Sequence, residues 1–394
     1  MHTQNNYILH IANDYTGSAV YKNLVSEIDK LEVRQIMYTS FREKNNIGNN
    51  EIGFQVDGSK IIYSPILNWH IDRIFYPFKI FKIFQDIQEK IDFNQIQCIH
   101  AHTWYSDGGV AYLLSRKYNI PFIVTIRNTD INLFQKKLIY LRLFGRKILS
   151  DAKQVILISA SYKERVLGQS SLRSMKSQLP DKLRVIPNGV DSFWLTNSSP
   201  KKQRAIDAAY NFLYVGRFTA GKQVPALQQA ILLLRSELSQ EVRLHLVGGG
   251  DEDDAKVLEL VMKHPNVFTY HGKIHDKQAL LALFQNCDAF TMPSLHETFG
   301  LVYVEAMLQG LPILYTEGEG IDGFYSEKIG EKVSAHSVEE IKEKLNLIID
   351  NLNQYSIPLD KIKKNHDWAL IAKEYIDIYD ASLKQTTTVS DNIL

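Results

Sequence analysis

Two glutamates eight residues apart, Glu297 and Glu305, stand in the segment PSLHETFGLVYVEAMLQGLPIL at 293–314. The pattern predicts a strand, then a helix that begins near Thr298. On one continuous helix the two carboxylates would lie about 12 Å apart along the axis and about 80° apart around it. They could then contact both ends of one elongated ligand. In the alternative reading, Glu297 is only a helix-start acid and Glu305 a solvated helix residue.

The predicted helix start also suits an anion. Its first turn would present free backbone N–H groups at Thr298, Phe299, Gly300 and Leu301, at the positive end of the helix dipole. Gly300 would allow a ligand to approach the backbone closely. The segment therefore predicts a phosphate site between two carboxylates.

A pair of cations, Arg217 and Lys222, stands in the loop VGRFTAGK at 215–222, directly after a predicted strand. Arginine grips a phosphate through a bidentate fork, and lysine acts as a point charge. Together the two side chains could hold a diphosphate without a metal ion, and we predict no metal site. The alternative is that both are ordinary surface charges.

The elements that must position these residues alternate along the whole chain. Short apolar runs separated by amphipathic stretches predict parallel α/β architecture. The predicted strands are 7–12, 33–38, 60–64, 98–102, 122–126, 155–159 and 183–187 in the first half, and 212–216, 244–248, 267–271, 289–293 and 312–316 in the second. Ligands bind outside the carboxyl ends of such strands.

The domain organisation follows from a polar segment that interrupts this alternation of strands and helices. The polar stretch 196–210 is interpreted as a linker between two doubly wound, Rossmann-like domains, which cover 1–195 and 196–365. Two such sheets facing each other would place their loops across an interdomain cleft. A final amphipathic helix at about 366–383 is expected to pack back on the first domain.

The composition is that of an ordinary globular protein, with 394 residues, of which 45% are hydrophobic and 23% charged. This excludes intrinsic disorder, collagen and coiled coil. No run of 18 uncharged apolar residues appears, the first ten residues lack the features of a signal peptide, and two cysteines cannot form a disulfide framework. We therefore expect a cytoplasmic protein, with the inner face of the membrane as an alternative.

The charge distribution is uneven. Residues 1–195 carry 25 Lys and Arg against 17 Asp and Glu, whereas the rest of the chain is acidic. Two basic segments rich in apolar and aromatic residues, 68–84 and 135–149, lie in the basic half. They predict either peripheral contact with an anionic membrane or aromatic core residues with a solvated basic face. No nucleic-acid motif accompanies them.

Four motifs in order resemble one family, the retaining nucleotide-sugar glycosyltransferases of family 4, which have the GT-B fold. They are VGRFTAGK (215–222), LHLVGGGDEDD (244–254), YHGKIHDKQALLALFQNCDAFTMPS (270–294) and ETFGLVYVE (297–305). The resemblance covers nearly the whole second half and, more weakly, the first. Two departures concern Gln223, where the family commonly has glycine, and a single glycine, Gly17, where relatives often have a pair.

The resemblance implies roles for residues of the second half. Arg217 and Lys222 would stabilise the negative charge that develops on the leaving diphosphate. Glu305 would accept from the ribose hydroxyls, and Glu297 would lie near the donor sugar. Gly248 of the glycine-rich loop would be part of the donor site, and Lys273 and Ile274 would cradle the base.

In the first half, His102 of HAHTWYSDGG (100–109) matches the family's histidine against the donor sugar. A neutral imidazole can hydrogen-bond a sugar hydroxyl, although both histidines of this motif could be structural, His100 more so. Gly17 stands in a loop that lies near the donor phosphate in relatives, and Thr16 of the same loop is a candidate acceptor contact. Arg127 and Asp130 are further candidates for the acceptor, and Arg127 either binds a phosphate on it or pairs with Asp130.

The function that the resemblance implies is transfer of a sugar from a nucleotide-diphosphate donor, with UDP-sugar expected, to a glycan or lipid-linked acceptor. The anomeric configuration would be retained by front-face displacement, in which the leaving phosphate helps to deprotonate the attacking hydroxyl, without cofactor or metal. Surface polysaccharide or glycolipid synthesis would use such a reaction. The alternatives are a non-catalytic GT-B subunit and a GT-B enzyme that epimerises or hydrolyses nucleotide sugars.

Overall fold

The computed structural model describes residues 6–68, 72, 75–200, 208–334 and 337–384, and the backbone of 385–390. The chain divides into two compact units. Unit 1 comprises Met1–Ile158, Lys163–Asn188 and Trp368–Leu394, and unit 2 comprises Ser159–Tyr162 and Gly189–Asp367. The predicted linker at 196–210 includes residues 201–207, which lie outside the described residues.

Unit 1 is built on a parallel sheet of seven strands in the order β3-β2-β1-β4-β5-β6-β7. The central strands are buried on both faces, which explains their continuous apolar runs. The strands are β1 (Tyr7–Ile11), β2 (Gln35–Ser40), β3 (Lys60–Ser64), β4 (Ile96–Ala101), β5 (Phe122–Ile126), β6 (Gln154–Leu157) and β7 (Leu183–Val185).

Helices connect these strands, as parallel pairing requires. They are α1 (Ala19–Asp29), α2 (Tyr76–Lys90), α3 (Ser106–Tyr118), α4 (Arg142–Asp151), α5 (Ser161–Leu167) and α6 (Leu179–Lys182). Between β5 and α4 the chain forms a π-helix at Asp130–Gln135 and a 3₁₀ turn at Ile139–Leu141.

Unit 2 contains a second parallel sheet, of six strands in the order β10-β9-β8-β11-β12-β13. The strands are β8 (Tyr210–Gly216), β9 (Val242–Gly248), β10 (Phe268–Tyr270), β11 (Ala289–Thr291), β12 (Ile313–Thr316) and β13 (Gly330–Val333). The helices are α7 (Ser192–Thr196), α8 (Val224–Glu237), α9 (Asp254–Lys263), α10 (Lys277–Asn286), α11 (Leu301–Met307), α12 (Val338–Asp350) and α13 (Leu359–Asn365).

The last helix, α14 (Trp368–Ser390), belongs to unit 1 rather than to the unit that precedes it in sequence. Its residues Trp368, Ile371 and Tyr375 are buried in one cluster with Ile8 of β1 and Cys98 of β4. A helix at the end of the chain therefore completes the core beneath the first sheet.

The predicted fold class is confirmed, because both units are parallel α/β sheets of Rossmann type. Every predicted strand has a counterpart, whereas β13 was not predicted because its sequence, GEKV, contains one apolar residue. Within the described residues, no helix is both long and apolar enough to cross a membrane.

Candidate active site

Three consecutive glycines end β9 and begin the following loop. Gly248, Gly249 and Gly250 have φ angles of 126°, 99° and 89°, values that side chains other than glycine's rarely tolerate. A Cβ atom on Gly248 would overlap the carbonyl group of Gly216 at the end of β8. Glycine is therefore required here because the ends of two neighbouring strands approach each other closely.

Arg217 follows β8 and reaches this loop. Its guanidinium forms a bidentate pair with Asp251, in which Nε donates to Oδ2 over 2.8 Å and Nη2 donates to Oδ1. The hydrogen bonds from Arg217 lower the pKa of Asp251, and the charge of nearby Lys273 lowers it further. The Arg217 side chain remains 74% exposed, so a phosphate can reach it and compete with Asp251.

Lys222 points in another direction and pairs with Glu297. Its Nζ lies 2.5 Å from Oε2 of that carboxylate, and both side chains are largely buried. Gln223, which follows, adopts φ 58° and ψ 29°, the left-handed conformation that glycine would adopt without strain. The departure from the family pattern at Gln223 therefore leaves the left-handed turn intact.

The predicted helix start near Thr298 is wrong. Helix α11 begins at Leu301, and Gly300 precedes it with φ 78°. The amide of Thr298 donates to Oε1 of Glu297 over 2.9 Å and is therefore not free for a phosphate. Because residues 297–300 form a loop, the separation of about 12 Å and 80° expected for a continuous helix does not apply.

The other residues of this loop have distinct surroundings. Phe299 is buried and packs against Phe324, with ring centroids 5.6 Å apart, and against His366. Leu301 is half-buried against the core of unit 2. The Phe299 side chain is thus a core residue, and only its backbone could contact a donor.

Glu305 lies on α11 in a largely desolvated position. Its pKa is raised to about 7, mainly by burial and also by the negative charge of Asp191, whereas the charge of Lys277 acts in the opposite direction. Asp191 and Lys277 form their own ion pair at 2.5 Å. Within the described part of the chain no group donates a hydrogen bond to the Glu305 carboxylate, so it is available to ligand hydroxyls.

Lys273 and Ile274 follow β10. Lys273 is exposed and close to Gly250, since a Cβ atom there would overlap its ammonium group. Ile274 is half-buried against the core of unit 2. Unit 2 thus gathers Arg217, Asp251 and Lys273 at the ends of β8, β9 and β10.

In unit 1, three buried histidines gather on β1 and at the end of β4. His10 pairs with His100 in the strand register, and Nδ1 of His10 lies 3.1 Å from Nε2 of His102. Burial lowers the pKa of His10 to about 3 and holds the pKa values of His100 and His102 well below 6.5. His102, 1% exposed, is therefore neutral, and its contact with the donor sugar stays a prediction.

His100 is held from both ring nitrogens. Nδ1 lies 2.8 Å from the Tyr379 hydroxyl of α14, and Nε2 lies 3.0 Å from the Thr125 hydroxyl. This is the structural histidine that the sequence predicts. The three histidines offer nitrogens within 4.8 Å of one another, but the rings of His100 and His102 stack at 3.9 Å and 30°. Both ring nitrogens of His100 are already paired with hydroxyl groups, so this ring offers no unpaired nitrogen to an ion.

Of the two alternatives for Arg127, the side-chain pair with Asp130 does not form. The Asp130 carboxylate, which is buried, accepts from the backbone amides of Trp104, Tyr105 and Arg127 at 2.9–3.0 Å. The Arg127 guanidinium instead donates to the carbonyl of His102 over 3.0 Å. Asp130 therefore ties β5 to the start of α3, and Arg127 supports the backbone of His102.

The loop after β1 carries Thr16 and Gly17 in a 3₁₀ turn at Tyr15–Gly17. Thr16 is half-buried and Gly17 exposed. The carboxylate of Asp14, whose pKa is raised by burial and lowered by Arg127, lies against Gly17. Asp14 therefore lies near Arg127, whose guanidinium contacts the backbone of His102.

Two partners of the predicted residues were missed. His10 contacts His102, and the sequence carries a signal for it, because both lie near the carboxyl ends of apolar strands. The second missed partner is Asp251, which pairs with Arg217. Asp254 opens α9 and accepts from the Gly250 amide over 2.7 Å, but nothing in the spacing distinguishes its role from that of Asp251.

Both halves of the chain match models of known families. Residues 20–192 match the model described as Glycosyltransferase Family 4, and residues 197–367 match the model described as Glycosyl transferases group 1. The chain belongs to the group 1 and family 4 glycosyltransferases. The predicted enzyme class is therefore confirmed.

Similar proteins of known sequence or structure agree with this assignment. An uncharacterized glycosyltransferase of Methanocaldococcus jannaschii is 28% identical over 342 residues, which cover 84% of this glycosyltransferase and 83% of the relative. Sucrose-phosphate synthase from Thermosynechococcus elongatus matches 96% of the chain and 99% of its own at 20% identity, with a TM-score of 0.68. HepE from Anabaena, solved with UDP and glucose, covers 95% of this chain and 99% of its own at 16% identity, with a TM-score of 0.63. At these identities the two structures share the fold with this glycosyltransferase.

Proposed function

We propose that this glycosyltransferase moves a sugar from a nucleotide-diphosphate donor, first of all a UDP-sugar, to an acceptor hydroxyl with retention of anomeric configuration. The observation that carries the donor assignment is the pair of cations in the loop that follows β8 in unit 2. Arg217 is exposed there, and Lys222 is held against Glu297. Both cations follow β8, and their combined positive charge suits a diphosphate.

The chemistry assigned to these groups is electrostatic. As the bond between the sugar and the diphosphate breaks, negative charge builds on the leaving oxygens, and fixed cations stabilise it. We propose that Arg217 and Lys222 supply this stabilisation, so that transfer continues in the presence of EDTA. The leaving phosphate then takes the proton of the attacking hydroxyl, and no residue forms a bond to the sugar.

Glu305, Glu297 and His102 are assigned to orientation of the donor. The Glu305 carboxylate has no donor within the described residues and would accept from the ribose hydroxyls. The neutral His102 imidazole would contact a hydroxyl of the donor sugar, and Glu297 would lie near that sugar. Backbone groups at Gly248 and at 273–274 would contact the rest of the nucleotide.

The donor assignment is tested by thermal shift with UDP, GDP and ADP in EDTA, because binding to the folded state raises the melting temperature. We expect one nucleotide to stabilise the wild type and to lose that effect in Arg217→Ala. The matched control is Arg243→Ala, which removes another exposed, ion-paired arginine from the opposite end of β9. Absence of a shift with all three nucleotides would count against the donor site.

For the acceptor, we propose a lipid-linked glycan or glycolipid at an anionic membrane. Two groups of exposed apolar side chains support it, Phe75, Phe78 and Phe81 around α2 and Ile139, Tyr140 and Leu143 before and within α4. The same segments carry Lys82, Lys136, Lys137, Arg142 and Arg146. Trp69 and Arg73 of the predicted segment 68–84 lie outside the described residues.

Vesicle sedimentation tests the membrane assignment. We expect the wild type to sediment with anionic vesicles at low salt and to be released by salt, because Lys and Arg attraction to anionic lipid is screened. Phe78→Ser with Phe81→Ser should weaken binding at all salt concentrations. A wild type that stays in the supernatant at low salt would contradict the membrane proposal without affecting the donor site.

A further inference from the structure

A cavity of about 460 Å³ opens in unit 1, lined by none of the residues assigned above to the donor. Its size lies within the range of small-molecule sites, about 300–1,000 Å³. Part of its lining is charged, with Arg42, Asp72 and Lys79, and part is apolar, with Leu133, Leu138 and Tyr140. The cavity thus divides into a polar part and an apolar part.

Lys79 of α2 supplies the positive charge. Its Nζ donates to the Ser106 hydroxyl over 3.1 Å, and among the described residues it forms no ion pair. Burial lowers its pKa and the charge of Arg42 lowers it further, whereas the carboxylates of Asp107, Asp72 and Asp130 raise it. Because the Lys79 ammonium donates to a hydroxyl and not to a carboxylate, it can also donate to an anionic ligand group, and Arg42 adds a second positive charge to the same lining.

Asp72 offers the ligand a hydrogen-bond acceptor, whereas Lys79 offers a donor. It is 3% exposed, its Oδ2 accepts from the amide of Asn68, and Lys82 lies 3.7 Å away. Its other oxygen, Oδ1, is buried without a hydrogen-bond donor among the described residues. Buried acceptors are normally paired, so a hydroxyl of the ligand would complete this carboxylate.

The apolar part of the cavity reaches the surface. Leu133 and Tyr140 line the cavity and are also exposed to solvent. Phe134, which also lines it, stacks on Tyr105 with ring centroids 4.8 Å apart and is fixed by that contact. A ligand whose polar group lies at Lys79 can therefore extend an apolar portion over these side chains.

We propose that this cavity binds the phosphate of an amphipathic acceptor. The phosphate lies on Lys79 and Arg42, and a neighbouring hydroxyl donates to Asp72. The apolar chain lies against Leu133 and Tyr140. The proposal rests on the proposed function only in naming the ligand as the acceptor.

Three small probes test the assignment by calorimetry on the full chain at low salt. They are 1-hexanoyl lysophosphatidic acid, which has phosphate, hydroxyl and a short chain; sn-glycerol 3-phosphate, which lacks the chain; and 1-hexanoylglycerol, which lacks the phosphate. We expect the first to bind most tightly, the second more weakly, and the third not measurably. This order separates a lipid phosphate from a soluble one.

Variants identify the groups. Lys79→Gln should weaken both phosphate probes by about tenfold, as expected for a lost charged hydrogen bond, whereas Lys117→Gln, an exposed lysine of α3, should change neither. Tyr140→Ala alters an exposed side chain and should weaken only the probe that carries the chain. Folding of each variant is checked by its melting temperature and by its shift with the nucleotide that binds wild type.

Three results would overturn the proposal. They are no binding of either phosphate probe to folded wild type, equal binding by folded Lys79→Gln, and glycerol 3-phosphate binding as tightly as the lipid probe. The last would leave a soluble phosphate as the ligand and remove the amphipathic acceptor. A retained nucleotide shift in each case would show that the donor assignment of unit 2 still stands.

Discussion

Lys222 and Glu297 stand 75 residues apart in the sequence, and the ammonium nitrogen of one lies 2.5 Å from a carboxylate oxygen of the other. Lys222 follows β8, and Glu297 follows β11, the neighbouring strand in the sheet. Before the donor binds, the carboxylate holds the lysine in place. A diphosphate must then share this lysine with Glu297, which makes the pair central to the proposed chemistry.

Lys222→Gln should lower the rate of sugar transfer by about 10²–10³-fold, because charge on the leaving diphosphate develops mainly in the transition state. Binding of the nucleotide itself should change less. Single-turnover assays with the donor selected by thermal shift measure the effect. Lys256→Gln removes an exposed, ion-paired lysine of the same unit and serves as control, and equal rates in the two variants would remove Lys222 from the mechanism.

Glu305 should make donor binding depend on pH near neutrality. Its pKa is raised to about 7, and ribose hydroxyls would donate to the ionised form. The affinity for the nucleotide should therefore rise between pH 6 and pH 8 and become flat in Glu305→Gln. Calorimetry in buffers of different ionisation enthalpy would also detect the proton released. A wild-type affinity that is flat over this range would contradict the assignment.

The raised pKa of Glu305 also predicts how the stability of the folded protein depends on pH. A carboxyl whose folded-state pKa is raised favours the folded state at low pH, and this contribution is lost as the pH rises through about 7. Glu305→Gln should therefore be more stable than wild type at pH 8, by on the order of 2 kcal/mol, and close to wild type at pH 5. Urea unfolding of both proteins at the two pH values measures the difference.

For the buried histidine His10, the pH dependence of stability has the opposite sign. The pKa of His10 is lowered to about 3, so its contribution is present above pH 6.5 and is lost as the pH falls toward 3. Wild type should lose about 1.4 kcal/mol per pH unit relative to His10→Phe between pH 6 and pH 5. Denaturant unfolding of both proteins at each pH provides the measurement, with the exposed His275→Gln as control. A difference that stays constant with pH would show that His10 does not resist protonation.

Gly248→Ala should destabilise unit 2 by about 2 kcal/mol, because φ is 126° and the new methyl group would overlap the Gly216 carbonyl. Nucleotide binding should weaken with it, since the loop that holds Asp251 begins there. Gly221→Ala is the matched control, because only the Thr219 hydroxyl lies near its Cβ position, at 4.0 Å. Melting curves with and without nucleotide distinguish the two variants, and equal curves would contradict the close approach of β8 and β9.

The strands of both sheets could be predicted from the sequence because parallel strands buried on both faces need continuous apolar runs. Tyr7–Ile11 and Phe122–Ile126 were predicted from such runs almost to the residue. The edge strand Gly330–Val333 was missed, since GEKV has no such run. The start of α11 was misplaced by three residues because the residue types at 298–300 do not by themselves mark a helix boundary, whereas Gly300 adopts a left-handed φ of 78° directly before the helix.

By itself, therefore, the sequence determined two α/β units, the loops that follow their strands and the residue types that those loops present. The pairs of candidate residues within each unit were decided by tertiary structure. Arg217 with Asp251, Lys222 with Glu297 and His10 with His102 come from different strand ends. The physical reason is that local propensity and periodicity act over a few residues, whereas these contacts depend on strand order and on a loop conformation that packing imposes.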